Sequence, residues 1–160
     1  MNWGNSPIGS VDVGGFPRLF KPDGMNYSEG RHTFTVGGET PMKKTMFIEI
    51  GMGIDLHGQN VTKAAVRAVQ NAIHHNSMPG IRSVLPGGDL NNMKVNVRLA
   101  VPADKDKLDL DVVRKELPYG QVSFEVVDGG MLTSSGIVLE DKQDRNDLAY
   151  VVIASVEVGY

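Results

Sequence analysis

Nine consecutive residues, Asp55-Leu56-His57-Gly58-Gln59-Asn60-Val61-Thr62-Lys63, bring together a carboxylate, an imidazole, an amide, a hydroxyl and an ammonium group. A histidine can take or give a proton near neutral pH, a neighbouring carboxylate can orient its ring, and a lysine can hold an anion or stabilise developing negative charge. The run is preceded by Gly51-Met52-Gly53, which follows the strand-like Met46-Phe47-Ile48-Glu49-Ile50. It passes into a helical pattern from about Val61 to His75, with alanines at 64, 65, 68 and 72. Residues 51–63 therefore read as a glycine-containing loop between the carboxyl end of a strand and the amino end of a helix. Unpaired N–H groups and the positive end of the helix dipole favour a negative group there. We expect His57 and Asp55 to form the catalytic pair, with Gln59, Thr62 and Lys63 contacting substrate. A capping role for Asp55 or Asn60 accounts for part of the same pattern.

Other polar groups stand further along. His74-His75-Asn76-Ser77 closes the helix, where histidine is favoured electrostatically without any function. Arg82, Asn91, Asn92, Lys94 and Arg98 form a second set, in which Lys94 and Arg98 share one strand face. Arg82 or Lys94 of one subunit is expected to complete an anion pocket facing His57 of the next. A metal site from His57, His74, His75 and Asp55 is not expected, since a helix of about fifteen residues holds its ends about 20 Å apart. Gly51-Met52-Gly53 is not a dinucleotide fingerprint, because the helix begins too late and a third glycine is misplaced. No cofactor is expected.

With 160 residues, 41% of them hydrophobic, the chain can bury one core. A net charge of −3 without a strong basic block argues against nucleic acid or an anionic membrane as the main partner. The absence of cysteine excludes disulfides, thiolate metal sites and a cysteine nucleophile. There is no basic segment followed by an apolar run at the amino terminus, and no stretch approaches the roughly 20 apolar residues of a membrane helix. A cytoplasmic protein is expected.

Residues 1–44 read as an extended arm, rich in glycine and anchored by Trp3, Phe16 and Phe20, ahead of a single domain over 45–160. In that domain the patterns give a strand at 46–51, a helix at 61–75 and a strand where Val95, Val97, Leu99 and Val101 alternate with polar residues. A short helix follows over 108–117, with Asp109 or Asp111 at its amino end, then a strand at 122–127. Asp128-Gly129-Gly130 reads as a hairpin turn, 133–147 as a solvated, charge-rich loop, and 149–158 as the last strand. The expected fold is α+β, a β-α-β-α-β-β sandwich with two helices on one face of a mixed sheet. In the last strand Tyr150, Val152, Ala154, Val156 and Val158 point one way and Val151 and Ile153 the other. Two helices cover only one face, so the second is expected to be buried by oligomerisation.

The segments Gly-Met-Gly-Ile-Asp-Leu-His-Gly-Gln at 51–59, His-His-Asn-Ser-Met-Pro-Gly-Ile at 74–81, Leu-Asn-Asn-Met-Lys-Val at 90–95, Leu-Pro-Tyr-Gly-Gln-Val at 117–122 and Val-Glu-Val-Gly-Tyr at 156–160 resemble a family of conserved hypothetical proteins of bacteria and fungi. The resemblance covers roughly 45–160 and brings no assigned chemistry with it. The order of elements is also similar to that of the small enamine/imine deaminases and the single-domain chorismate mutases, which implies a trimer with ligand sites in clefts between subunits. A further similarity is to the cyclic-amide ring-opening hydrolases, whose serine–lysine pairing has no counterpart here.

Together these observations favour a cofactor-independent enzyme acting by acid–base chemistry, such as isomerisation, deamination or hydrolysis, on a small polar or anionic metabolite in an inter-subunit cleft. The alternatives are a non-catalytic metabolite-binding or assembly module, and a cyclic-amide hydrolase.

Overall fold

Alternation of side chains along the longest strands sets the architecture. The computed structural model describes Phe34–Val36 and residues 41–160; Trp3, Phe16 and Phe20, with most of the expected arm, lie outside the described residues. The described elements are β1 (Phe34–Val36), β2 (Thr45–Asp55), α1 (Val61–Ile73), α2 (Ile81–Val84), β3 (Lys94–Val101), α3 (Leu110–Arg114), β4 (Gln121–Asp128), β5 (Met131–Ser134) and β6 (Leu148–Gly159). They form an α+β fold on one mixed sheet with the order β1-β4-β3-β6-β2, in which β5 also pairs with β6. β6 lies antiparallel to both β2 and β3, and β3 runs parallel to β4. No helix among the described residues is long and apolar enough to cross a membrane.

Val95, Val97, Leu99 and Val101 of β3, Phe124 and Val126 of β4, and Val152, Ala154, Val156 and Val158 of β6 share the buried face. Against them lie Val61, Ala64, Ala65, Ala68, Val69 and Ala72 of α1, with Val113 of α3. Both longer helices thus cover the same face, as the periodicity predicts. The alanine stripe permits an unusually close approach to β2, because Gly51 and Gly53 face it directly. A Cβ on Gly53 would stand 2.8 Å from the Arg67 carbonyl carbon and nearer still to Ala64 O and Ala68 N; one on Gly51 would meet Ala68 O, Ala72 N and Ala72 Cα.

Several boundaries differ from the sequence reading. The strand ends at Asp55 instead of residue 51, so Gly51 and Gly53 belong to β2 and only 56–60 form the loop. Glycine lowers strand propensity, which hides this; here it is required by the proximity of α1. The run Asp128-Gly129-Gly130 is not a hairpin turn, since β5 pairs with β6 and not with β4. Gly129 passes against Ala100, and Gly130 between Val151 O and Ala100 O, where a side chain has no room. α2 and β5 were not legible in the sequence.

The other face of the sheet is not covered by the helices. Ile48, Ile50 and Met52 of β2 and Ile153 of β6 are exposed there. Met52 and Ile153 are direct cross-strand neighbours. The same face becomes polar toward β4, where Arg98 pairs with Glu125 at 2.6 Å.

Candidate functional site

The candidate site lies where β2 ends, α1 begins and the 139–148 segment closes over both. Asn60 caps α1, its side chain accepting from Lys63 N at 2.9 Å while its own N–H donates to Asp55 at 3.0 Å. Gly58 (φ 90) and Gln59 (φ 43) turn the chain through left-handed conformations, which suits glycine and makes Gln59 a strained position. Gln59 has compensating bonds. It is buried, its Nε2 donates to Asn146 O and Leu148 O at 3.1 and 3.0 Å, and its Oε1 accepts from Arg145 N at 2.9 Å.

Asp55 does not orient His57. Its side chain is fully buried and accepts from Lys63 Nζ at 2.7 Å and Arg67 Nη1 at 3.3 Å as well as from Asn60 N. It is a charge anchor that fixes the first two turns of α1 to the end of β2. The carboxylate on His57 is Asp144, whose Oδ2 lies 2.8 Å from Nδ1. Asp144 exposes none of its side chain and accepts from Gly58 N at 2.6 Å and Leu139 N at 2.8 Å. The Leu139 N–H holds its carboxyl below the usual carboxylate range, with the Gly58 N–H and His57 adding to that against the opposing cost of desolvation. The charge-rich 133–147 stretch, read as solvated, therefore carries a buried acceptor.

With Nδ1 facing a carboxylate, the neutral imidazole is held as the Nδ1–H tautomer, leaving Nε2 for exchange. Nε2 has no partner among the described residues. The ring is 26% exposed and lines a cleft of about 400 Å³ with Lys63, Arg67 and Lys142. Next to Asp144 in the chain, Arg145 donates to Asp104, which also accepts from Tyr150, both at 2.8 Å, and these bonds lower the pKa of Asp104 to about 2. Burial, then the bond to Asp104, pushes the Tyr150 hydroxyl up.

Of the residues predicted as ligands, only Lys63 lines the cleft with His57, whereas Gln59, Thr62 and Lys63 together line a larger cavity of about 630 Å³ at the amino end of α1. Thr62 accepts from Asp109 N at 2.9 Å and ties the start of α3 to α1. Arg82 donates to Gly88 O at 3.3 Å and Lys94 to Pro41 O at 2.8 Å, and neither lines the cleft. Arg67 was legible though not singled out, since it follows Lys63 by four residues and so shares its helix face. Asp144 was not, because nothing in a spacing of 87 residues marks it. Among the described residues no cluster of three or more His, Cys, Asp or Glu side chains could hold a metal ion.

The model of the Lin0512 family of conserved hypothetical proteins matches residues 45–158. The chain belongs to that family. The family match spans every element that builds the site, from β2 to β6, and includes His57, Asp144 and Lys63. An FtsZ-like protein of unknown function from Nostoc punctiforme is similar in structure, with 41% sequence identity and a TM-score of 0.64, over 72% of this chain and 93% of that one. No curated protein matches the chain.

Proposed function

We propose that this member of the Lin0512 family is a cofactor-independent, cytoplasmic enzyme that binds a small anionic metabolite in the cleft beside His57 and transfers a proton there. What carries the reading is one arrangement: an accessible histidine, held 2.8 Å from a buried carboxylate, on a cleft walled by three cations. Asp144 stabilises the imidazolium that forms when His57 accepts a proton, and fixes the ring with Nε2 left to carry that proton. Lys63 and Arg67 share one carboxylate, Asp55, Lys142 pairs with Asp141 at 3.3 Å, and the amino end of α1 adds positive potential. Such surroundings favour an anion and a transition state that gains negative charge.

We propose that a second copy of the chain completes the cleft in a closed assembly, a trimer being favoured by the order of elements. The exposed Ile48, Ile50, Met52 and Ile153 supply an apolar surface for self-association. Arg82 or Lys94 then enters the cleft only from a neighbour.

A binding module without turnover is the second reading, and a specific observation favours it: Lys63 and Arg67 are both already engaged by Asp55. A thermal-shift screen of central metabolites tests for a ligand, which at 100 times its dissociation constant adds about 2.7 kcal/mol of stability. Turnover of that ligand by the parent, with His57→Ala losing turnover but keeping affinity within a few-fold, supports the enzyme. Binding without turnover in both supports the module, and no stabilising anion at all overturns the site.

A further inference from the structure

The opposite end of α1 carries a second cavity, of about 460 Å³, with the reverse electrostatic character. Its walls are mostly apolar, with Phe47, Ile73, Ile81 and Val158 among them. Two carboxylates enter it. Glu49 on β2 is 8% exposed and accepts from Asn76 Nδ2 at 2.6 Å; Glu116, after α3, accepts from Gln70 Nε2 at 2.9 Å. Neither lies in an ion pair with a described residue, and no lysine or arginine lines the cavity.

A buried carboxylate such as Glu49 is costly without a countercharge; the donors bonded to Glu49 and Glu116 are neutral amides, and His74 is the one titratable base on the wall. The cavity also lies at the carboxyl end of α1, where Ile73 and His74 form part of its wall and the negative end of the helix dipole adds to the field. An anion is repelled on three counts. A hydrated metal ion would bring its water into apolar surroundings with two carboxylates to hold it, whereas an organic cation brings both a countercharge for the carboxylates and an apolar body that matches the walls.

We propose that this cavity binds an organic amine with an apolar body, its ammonium group held by Glu49 and Glu116 and its hydrocarbon part against Phe47, Ile73, Ile81 and Val158. The site is separate from the His57 cleft and stands independently of the function proposed there.

The test uses the full chain near neutral pH, with 2-phenylethylamine and hexylamine as probes. The neutral 2-phenylethanol and the anionic 3-phenylpropanoate serve as controls. Binding is followed by methyl NMR at Ile73, Ile81 and Met78 and by calorimetry. Both amines are expected to give saturable shifts at these methyls and none at the His57 loop. They should bind about tenfold or more tightly than the alcohol, as a charge-assisted contact implies, while the carboxylate gives no shift. Glu49→Gln keeps an acceptor for Asn76 and should lower amine affinity about tenfold without changing that of the alcohol. Should that variant fail to fold, Glu116→Gln carries the same expectation. Absence of saturable shifts with both amines overturns the proposal, as does equal affinity for amine and alcohol, or an amine preference that survives both substitutions.

Discussion

Replacing Gly53 by alanine tests whether the placement of α1, and with it the site, depends on direct backbone contact between helix and strand. The added Cβ stands 2.8 Å from the Arg67 carbonyl carbon and closer to Ala64 O and Ala68 N, where ordinary contacts lie at 3.4–4 Å. These are backbone atoms in the middle of α1, so no side chain can swing aside and the helix must retreat by roughly 1–1.5 Å. Overpacking of this kind costs about 1–3 kcal/mol, against which alanine recovers about 0.5–1 kcal/mol over glycine within a regular element. A net loss of about 1–2 kcal/mol is expected, which lowers Tm by about 4–8 °C in a domain of this size. Gly51→Ala pushes on Ala68 and Ala72 of the same helix. Once α1 has lifted, the second methyl meets less resistance, so the double variant should fall short of the summed losses. Thermal unfolding by circular dichroism gives the stabilities, and amide NMR shifts along α1 report the displacement. An unchanged Tm for Gly53→Ala, or strict additivity without shifts in α1, would refute the reasoning.

The two aspartates near His57 separate by variant. Asp144→Asn should lower turnover of an identified substrate by about a hundredfold while affinity stays within a few-fold, because the carboxylate acts on the imidazolium. Asp55→Asn should instead cost about 1–3 kcal/mol of stability by removing the anchor of Lys63 and Arg67, as measured by denaturant unfolding; equal effects of both variants on turnover would contradict this division. For Asp104, whose folded pKa of about 2 lies below the ordinary 3.8, stability from its ionised form is complete above about pH 4 and is lost as pH falls through 2. Carboxyl-detected NMR titration should find its midpoint well below those of exposed aspartates, and Tyr150→Phe should raise it. Light scattering at micromolar concentration should give a multimer for the parent and a smaller species for Ile50→Lys; a monomeric parent removes the inter-subunit part of the proposal.

The main elements were legible because burial imposes periodicity. Val95 to Val101 alternate since one face of β3 lies in the core that α1 covers, and the alanine stripe marks where α1 meets β2. The same contact obscured the end of β2, because its last turns of chain use glycine for proximity and lose the apolar signature of a strand. α2 and β5 are short, and the four residues of β5 are all exposed, so no buried side supplies a pattern. At the site, the strand-to-helix loop and His57 could be found from residue types at close spacing. The roles could not, because local adjacency suggested Asp55 for the histidine while the fold spent that carboxylate on Lys63 and Arg67.

That exchange of roles has a physical reason. Asp55 ends a strand whose odd-numbered residues point toward α1, so its side chain enters the space beneath the first turns of the helix, where Lys63 and Arg67 descend from one face. His57 stands beyond the strand, on the loop side, and faces the returning 139–148 segment. That segment is fixed by bonds that do not involve catalytic chemistry: Gln59 to residues 145–148, Leu139 N–H to Asp144, and Arg145 to Asp104. The geometry of the His57–Asp144 pair is therefore inherited from Gln59 and its carbonyl partners. Gln59→Ala removes three hydrogen bonds to that segment and should loosen Asp144 before it unfolds the domain. Turnover should fall as in Asp144→Asn, and hydrogen exchange should rise at Leu139 and Arg145 while staying unchanged in β3. If exchange rises throughout the sheet instead, Gln59 is part of the global core and not a positioning residue for the site.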